Sequence, residues 1–271
     1  MDAIKNYPIL EPEDVSLIGD GGAADGTVRQ LFLIQTPYGY KRVGEIIRPG
    51  MGEKLPAILF LHWYEPDAPD SNRHQFEAQA TALARSGAVC LLVETLWSDL
   101  DFFFKRTNAE DAQHSIEEAV NIRRWIDLLL DQPGVDASRF ALVGHDFGGM
   151  YAVLAGAHDQ RPTHYVLMAA TPRFPDWYLY FPGLEDEDQE AFLQEMAPFD
   201  PINHIANLAL KPLLFQFATA DEHVPRERAE EFFNAAPEPK TMQWYECGHG
   251  LNQAAARDRL EWLKEMLTLE S

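Results

Sequence analysis

Gly144-His145-Asp146-Phe147-Gly148-Gly149 joins two apolar runs, residues 140–143 and residues 150–157. The first has the length of a buried strand, and the second, rich in Ala, suits a buried helix. A chain that turns from strand to helix in so few residues needs small neighbours. Side chains at positions 144 and 148 would collide across the turn, and Gly149 lets the helix lie close to the sheet. The apex residue, Asp146, is held in a strained conformation with its side chain pushed out of the sheet. Its carboxylate is ionised at neutral pH, and the helix N-terminus beside it favours the anion. Carboxylate attack on an ester carbonyl yields a mixed anhydride, which is no easier to reach than the ester. Attack on a saturated carbon, with an epoxide oxygen or a halide leaving, yields an ordinary ester of Asp146. Asp at this apex therefore points to reaction at saturated carbon in two steps, the second a hydrolysis by activated water.

The turn has the small-x-nucleophile-x-small-small form of a nucleophile elbow. It resembles that of the α/β-hydrolase superfamily, most members of which carry Ser where this sequence has Asp146. The resemblance implies a nucleophile, an acid and a base in that chain order, at the ends of the elbow strand, the next-to-last strand and the last strand. Residues 213–217 run into Ala218-Thr219-Ala220-Asp221-Glu222-His223, and Asp221 stands where the family acid stands. Glu222 as the acid, or Asp221 as a helix cap, are the alternatives. The run ending at Tyr245 leads into Glu246-Cys247-Gly248-His249-Gly250, which looks like the family's histidine loop and makes His249 the base. Among nine histidines, His62 and His145 occupy positions where the family often has a structural His, and His223 reads as a surface residue. Two oxyanion donors are implied: the N–H of Phe147, and one after the third strand, from Trp63 or Tyr64. Many relatives have Gly where Trp63 stands.

The overall pattern is similar to the dienelactone-hydrolase-like esterases and lactonases. The Gly-His-Asp tripeptide is similar instead to epoxide hydrolases and haloalkane dehalogenases, which generally carry a helical cap. The corresponding insert here, at about residues 171–201, is short and lid-like. Two functions stay open, with residual hydrolysis by Asp146 as a general base toward water lying between them. One is a hydrolase of a small neutral organic substrate, an epoxide or a carbon–halogen compound, with Asp146 as nucleophile. The other is an esterase or lactonase scaffold whose Ser is replaced by Asp, inactive or binding ligand only. Indole and phenol groups can receive leaving-group charge. Trp97, like Trp63 at a strand end, and Trp177, Tyr178 and Tyr180 in the insert are the candidates for the substrate pocket, with plain aromatic packing the alternative for each. Arg173 is placed to bind a substrate carboxylate, with a plain surface Arg the alternative.

The elements that must hold these residues alternate. Residues 29–36 and 40–48 read as strands around Pro37-Tyr38-Gly39, and residues 57–61, 88–93, 165–170, 213–218 and 241–245 as further strands. Helices are expected over residues 75–86, 226–234 and 251–267, and from a capping box at Ser115-x-x-Glu118 to Asp131. Residues 95–112 are irregular and aromatic. The alternation predicts an α/β class with helices on both faces of a mostly parallel sheet. With the resemblance it implies the α/β-hydrolase fold: an eight-stranded sheet in one domain over residues 1–271.

Composition narrows the partners. The 271 residues carry a net charge of −21, and no basic cluster is present to neutralise phosphates. That argues against nucleic acid and anionic membranes, and it disfavours anionic substrates. No apolar run approaches the roughly 20 residues of a membrane span. The start lacks the layout of a signal peptide, and the two cysteines, Cys90 and Cys247, suggest no structural disulfide. These features together predict a cytoplasmic protein. Neither a metal site nor a phosphate-cradling Gly loop is readable, so no cofactor is implied.

Overall fold

The computed structural model describes residues 1–22 and 26–269. The strands are β1 (Val15–Gly22), β2 (Thr27–Gln35), β3 (Lys41–Pro49), β4 (Leu55–Leu61), β5 (Val89–Val93), β6 (Val135–His145), β7 (His164–Met168), β8 (Leu213–Ala218) and β9 (Lys240–Tyr245). The helices are α1 (Asp2–Lys5), α2 (Glu77–Arg85), α3 (Phe102–Lys105), α4 (Asp111–Leu130), α5 (Phe147–Ala157), α6 (Pro175–Tyr178), α7 (Asp186–Met196), α8 (Arg226–Ala235) and α9 (Gln253–Met266).

The strands form one sheet in the order β1-β2-β3-β5-β4-β6-β7-β8-β9. Pairing is antiparallel from β1 to β5 and parallel from there to β9. This is the α/β-hydrolase fold. Its sheet has nine strands rather than the expected eight. The added strand is β1, an edge strand whose Leu17 and Ile18 both face solvent, so no buried alternation marks it in the sequence.

The central strands are apolar on both faces because both are covered. In β4, Ala57, Leu59 and Leu61 enter a core with Trp125 of α4 and Tyr151 of α5, whereas Ile58 and Phe60 enter a core with Leu83 of α2 and Leu263 of α9. The period of two in the strand thus separates two cores across one sheet.

Helix α4 starts one turn earlier than expected. The Ser115-x-x-Glu118 capping box does not form. Ser115 Oγ donates back to the Asp111 carbonyl at 2.9 Å, and the Glu118 carboxylate accepts the Leu96 N–H at 3.1 Å. A capping box is present upstream instead, between Thr107 and Glu110. Among the described residues, no helix is long and apolar enough to cross a membrane.

Candidate active site

At the end of β6 the chain turns through Asp146, at φ 53° and ψ −118°, into α5. A non-glycine residue in this region is strained, and only a fixed frame keeps it there. The frame is visible. A Cβ on Gly144 would overlap the Gly148 carbonyl, and one on Gly148 would overlap the Leu61 carbonyl of β4. The Asp146 N–H donates to the Met168 carbonyl at 2.8 Å, fastening the apex to β7. The carboxyl is buried, and its Oδ1 has no hydrogen-bond partner.

Asp221 and His249 reach this apex from the loops after β8 and β9. His249 Nδ1 lies 2.9 Å from Asp221 Oδ2, and His249 Nε2 lies 3.8 Å from Asp146 Oδ2. The second distance is an ion-pair contact, not a hydrogen bond. Asp221 Oδ1 also accepts the N–H groups of His223 and Val224, at 2.9 and 3.0 Å. Helix α8 is preceded by Pro225, so Asp221 is not its N-cap, and the exposed Glu222 is not the carboxylate facing His249.

Burial alone would lower the His249 pKa, but Asp146 and Asp221 outweigh it and raise it to about 9. Burial pushes the Asp146 carboxyl up, against the pull of His249. Burial also opposes ionisation of Asp221, yet His249 and the two backbone donors hold its pKa below the ordinary value.

Of the two N–H groups expected as the second oxyanion donor, that of Trp63 is already bonded, to Gln75 Oε1 at 3.1 Å. Tyr64 N–H has no partner among the described residues. Phe147, first in α5, has no intrahelical acceptor for its own N–H.

A cavity of about 540 Å³ opens above Asp146 and His249. Trp63, Tyr64 and Phe147 line its sheet side, and Phe103 and Phe104 of α3 flank it. Trp177, Tyr180 and Phe181 close it from the insert, and Phe104 meets Phe181 across the mouth at 5.8 Å between ring centroids. Glu65 and His223 are at the wall, and no Lys or Arg is among the lining residues. His223 is exposed, as expected, but its ring is 5.2 Å from that of His249.

Two expected pocket residues are elsewhere. Trp97 is buried, donates from Nε1 to the His62 carbonyl at 3.0 Å and stacks on Tyr151. Tyr178 is buried, with its hydroxyl 2.9 Å from that of Tyr151 and its carbonyl accepting from Arg106. Both are core aromatics, one layer beneath the cavity floor. Arg173 is not available to a substrate carboxylate, because both of its terminal nitrogens face Glu231. His62 is structural: burial lowers its pKa to about 4, and its Nε2 sits 3.0 Å from the hydroxyls of Ser98 and Thr95. Among the described residues, no group of three or more His, Cys, Asp or Glu could hold a metal ion.

Residues 104–268, a span holding Asp146, Asp221 and His249, match the prolyl oligopeptidase family. The chain belongs to the prolyl oligopeptidase family. Like that family it is a hydrolase of the α/β-hydrolase superfamily. An acetyl xylan esterase from Paenibacillus sp. R4 is similar in structure, with a TM-score of 0.80 at 16% identity over 97% of this chain and 91% of that one. Acetyl xylan esterase 1 from Thermoanaerobacterium sp. JW/SL YS485 has a TM-score of 0.75 at 14% identity over 98% of each chain. A cold-adapted esterase from an Arctic intertidal metagenomic library has a TM-score of 0.67 at 15% identity, over 93% of this chain and 99% of that one. At such identities the likeness is one of fold. No curated protein matches the sequence. In this member of the prolyl oligopeptidase family the elbow presents a carboxylate.

Proposed function

We propose that the protein hydrolyses a small, neutral organic substrate at saturated carbon, with Asp146 as nucleophile and His249, oriented by Asp221, as base. The carrying observation is an elbow carboxylate with a free Oδ1, facing a histidine Nε2 that is also unpartnered 3.8 Å from Oδ2. The aromatic wall without Lys or Arg supports an apolar substrate body and disfavours anions.

In the first step a carboxylate oxygen of Asp146 bonds to carbon as an epoxide C–O or a carbon–halogen bond breaks. The electron pair leaves with the oxygen or the halide. Trp63 and Trp177 line the cavity, and both indole nitrogens lack a partner in the folded chain, which supports these two residues as the donors for that charge. Alkylation removes the Asp146 charge, one of the two that keep His249 protonated. Its proton passes to the leaving alkoxide or to solvent, and the neutral base appears when it is needed.

In the second step His249 Nε2 takes a proton from water, whose oxygen attacks the Asp146 ester carbonyl. The N–H groups of Phe147 and Tyr64 hold the oxyanion. The ester C–O bond then breaks, and His249 returns its proton to the departing alkoxide. On this reading the chain is one hydrolase domain, and residues 171–201 form a small lid over the site.

A single turnover in heavy-oxygen water, with styrene oxide-type epoxides and haloalkanes as substrates, tests the reading. The label is expected in Asp146, and unlabelled carboxylate oxygen in the first product. A second reading is favoured by the esterases among the similar structures: an esterase scaffold whose Ser is replaced by Asp, which binds ligand without turnover. If no such substrate labels Asp146 while Asp146→Ser gains activity on p-nitrophenyl esters, the second reading holds.

A further inference from the structure

Gln75 lies in the turn before α2, and its side-chain amide is engaged at both ends. Oε1 accepts the Trp63 N–H at 3.1 Å, and Nε2 stands 2.5 Å from His145 Nδ1. A backbone N–H can only donate, so the amide orientation is fixed. Nε2 then donates to His145 Nδ1, which must carry the lone pair. The His145 proton is therefore on Nε2, which donates to the His249 carbonyl at 3.0 Å. Burial and the neighbouring charge of His249 keep His145 neutral, in keeping with this pattern. The buried ring also stacks on Trp63, 4.9 Å between centroids and 3° from parallel.

One continuous chain of hydrogen bonds thus runs from the loop after β4, through Gln75 and His145, to the histidine loop after β9. It crosses beneath the apex at the residue that precedes Asp146. Nothing in the two steps proposed above uses Gln75 or His145.

We infer that Gln75 and His145 are positioning residues for the hydrolysis step. Gln75 occupies the Trp63 N–H and leaves that of Tyr64 as the second oxyanion donor. His145 holds the His249 backbone so that the imidazole keeps its contacts to Asp221 and Asp146. The inference rests on the roles proposed for Tyr64 and His249.

The test compares Gln75→Leu with Gln75→Glu in the full chain. A glutamate at this position can still accept from Trp63, and it can pair with a protonated His145, whose Nε2–H still reaches the His249 carbonyl. Leucine fills similar space and keeps neither bond. Proton NMR of the His249 Nδ1–H, shifted downfield by Asp221, needs no substrate. The expected result is a broadened, faster-exchanging signal in Gln75→Leu and a retained one in Gln75→Glu. On a substrate found by labelling of Asp146, kcat falls on the order of 10²-fold in Gln75→Leu and KM falls with it as the alkyl-enzyme accumulates, and Gln75→Glu restores most of both. A mere packing role gives the reverse order, because leucine packs at least as well as a buried carboxylate. That order, or an unchanged signal in Gln75→Leu, overturns the inference. Should Gln75→Leu not fold, Gln75→Glu decides alone: a retained signal with His145 protonated supports the inference, and a lost signal overturns it. If no substrate labels Asp146 but the NMR order holds, the nucleophile assignment fails and the positioning role stands.

Discussion

His249 Nε2 stands 3.8 Å from Asp146 Oδ2, and the two buried side chains set each other's protonation. The His249 pKa is raised from 6.5 to about 9, against the effect of burial. A histidine raised on folding stabilises the folded state fully below its unfolded pKa, and that contribution is lost as pH rises through the folded value. Stability from this group therefore declines between about pH 6.5 and 9. Thermal unfolding across this window should show the decline, and an NMR titration should place the His249 midpoint near its upper end. In Asp146→Asn the midpoint falls and the decline moves to lower pH. An unmoved midpoint would mean that Asp221 alone sets it.

Removal of the base separates the two steps. His249→Gln leaves the carboxylate able to attack and takes away the water-activating group. We expect the alkyl-enzyme to accumulate, seen as a mass increase on the peptide containing Asp146. Steady turnover should fall by about 10²- to 10⁴-fold. Absence of the adduct, with wild-type labelling intact, would mean that alkylation cannot proceed without the His249 proton.

The elbow was legible because its glycines are forced by steric exclusion at Gly144 and Gly148, which leaves a sequence mark. The positions of Asp221 and His249 were legible from strand order, since Asp221 lies just past a buried run and His249 just past the last strand, which ends at the buried Tyr245. Strand β1 was not, because an exposed edge strand needs no alternation. Trp97 and Tyr178 were misplaced for a different reason. An aromatic residue at a strand end or in an insert can turn toward the cavity or toward the core, and the partners that decide this, His62 and Tyr151, are distant in sequence. Gln75 carried no signal of its own, since its role exists only once three loops converge. The α4 start was misread because Ser115 and Glu118 have capping-box spacing but bond to Asp111 and Leu96 instead.

The split among the insert aromatics gives a paired prediction. Trp177→Leu removes a cavity wall and an indole donor, and should raise KM and shift selectivity among leaving groups. Tyr178→Phe removes the 2.9 Å hydroxyl contact to Tyr151. It should cost about 1 kcal/mol of stability and leave selectivity unchanged. Denaturant unfolding and a leaving-group series check the pair. Selectivity lost in Tyr178→Phe would return that residue to the pocket.

Gly148→Ala tests the frame around the apex. The new Cβ would overlap the Leu61 carbonyl, which is backbone and cannot yield cheaply. A loss of about 3 kcal/mol, the upper end for overpacking, is expected in equilibrium unfolding. A loss well under about 1 kcal/mol would show that the turn can relax.

The strained backbone at Asp146 is made by neighbouring glycines and strands, not by the apex side chain. The elbow is therefore a socket that does not depend on its occupant. Exchange of aspartate and serine there leaves the glycine and strand contacts of that frame in place. Two nucleotide changes separate their codons, through Asn or Gly on one route and Ala or Tyr on the other, none of which carries the elbow chemistry of either residue. A lineage that crosses between the two chemistries passes through a protein that folds, keeps its aromatic cavity and catalyses nothing. What such a protein retains for selection to act on is the capture of its ligand.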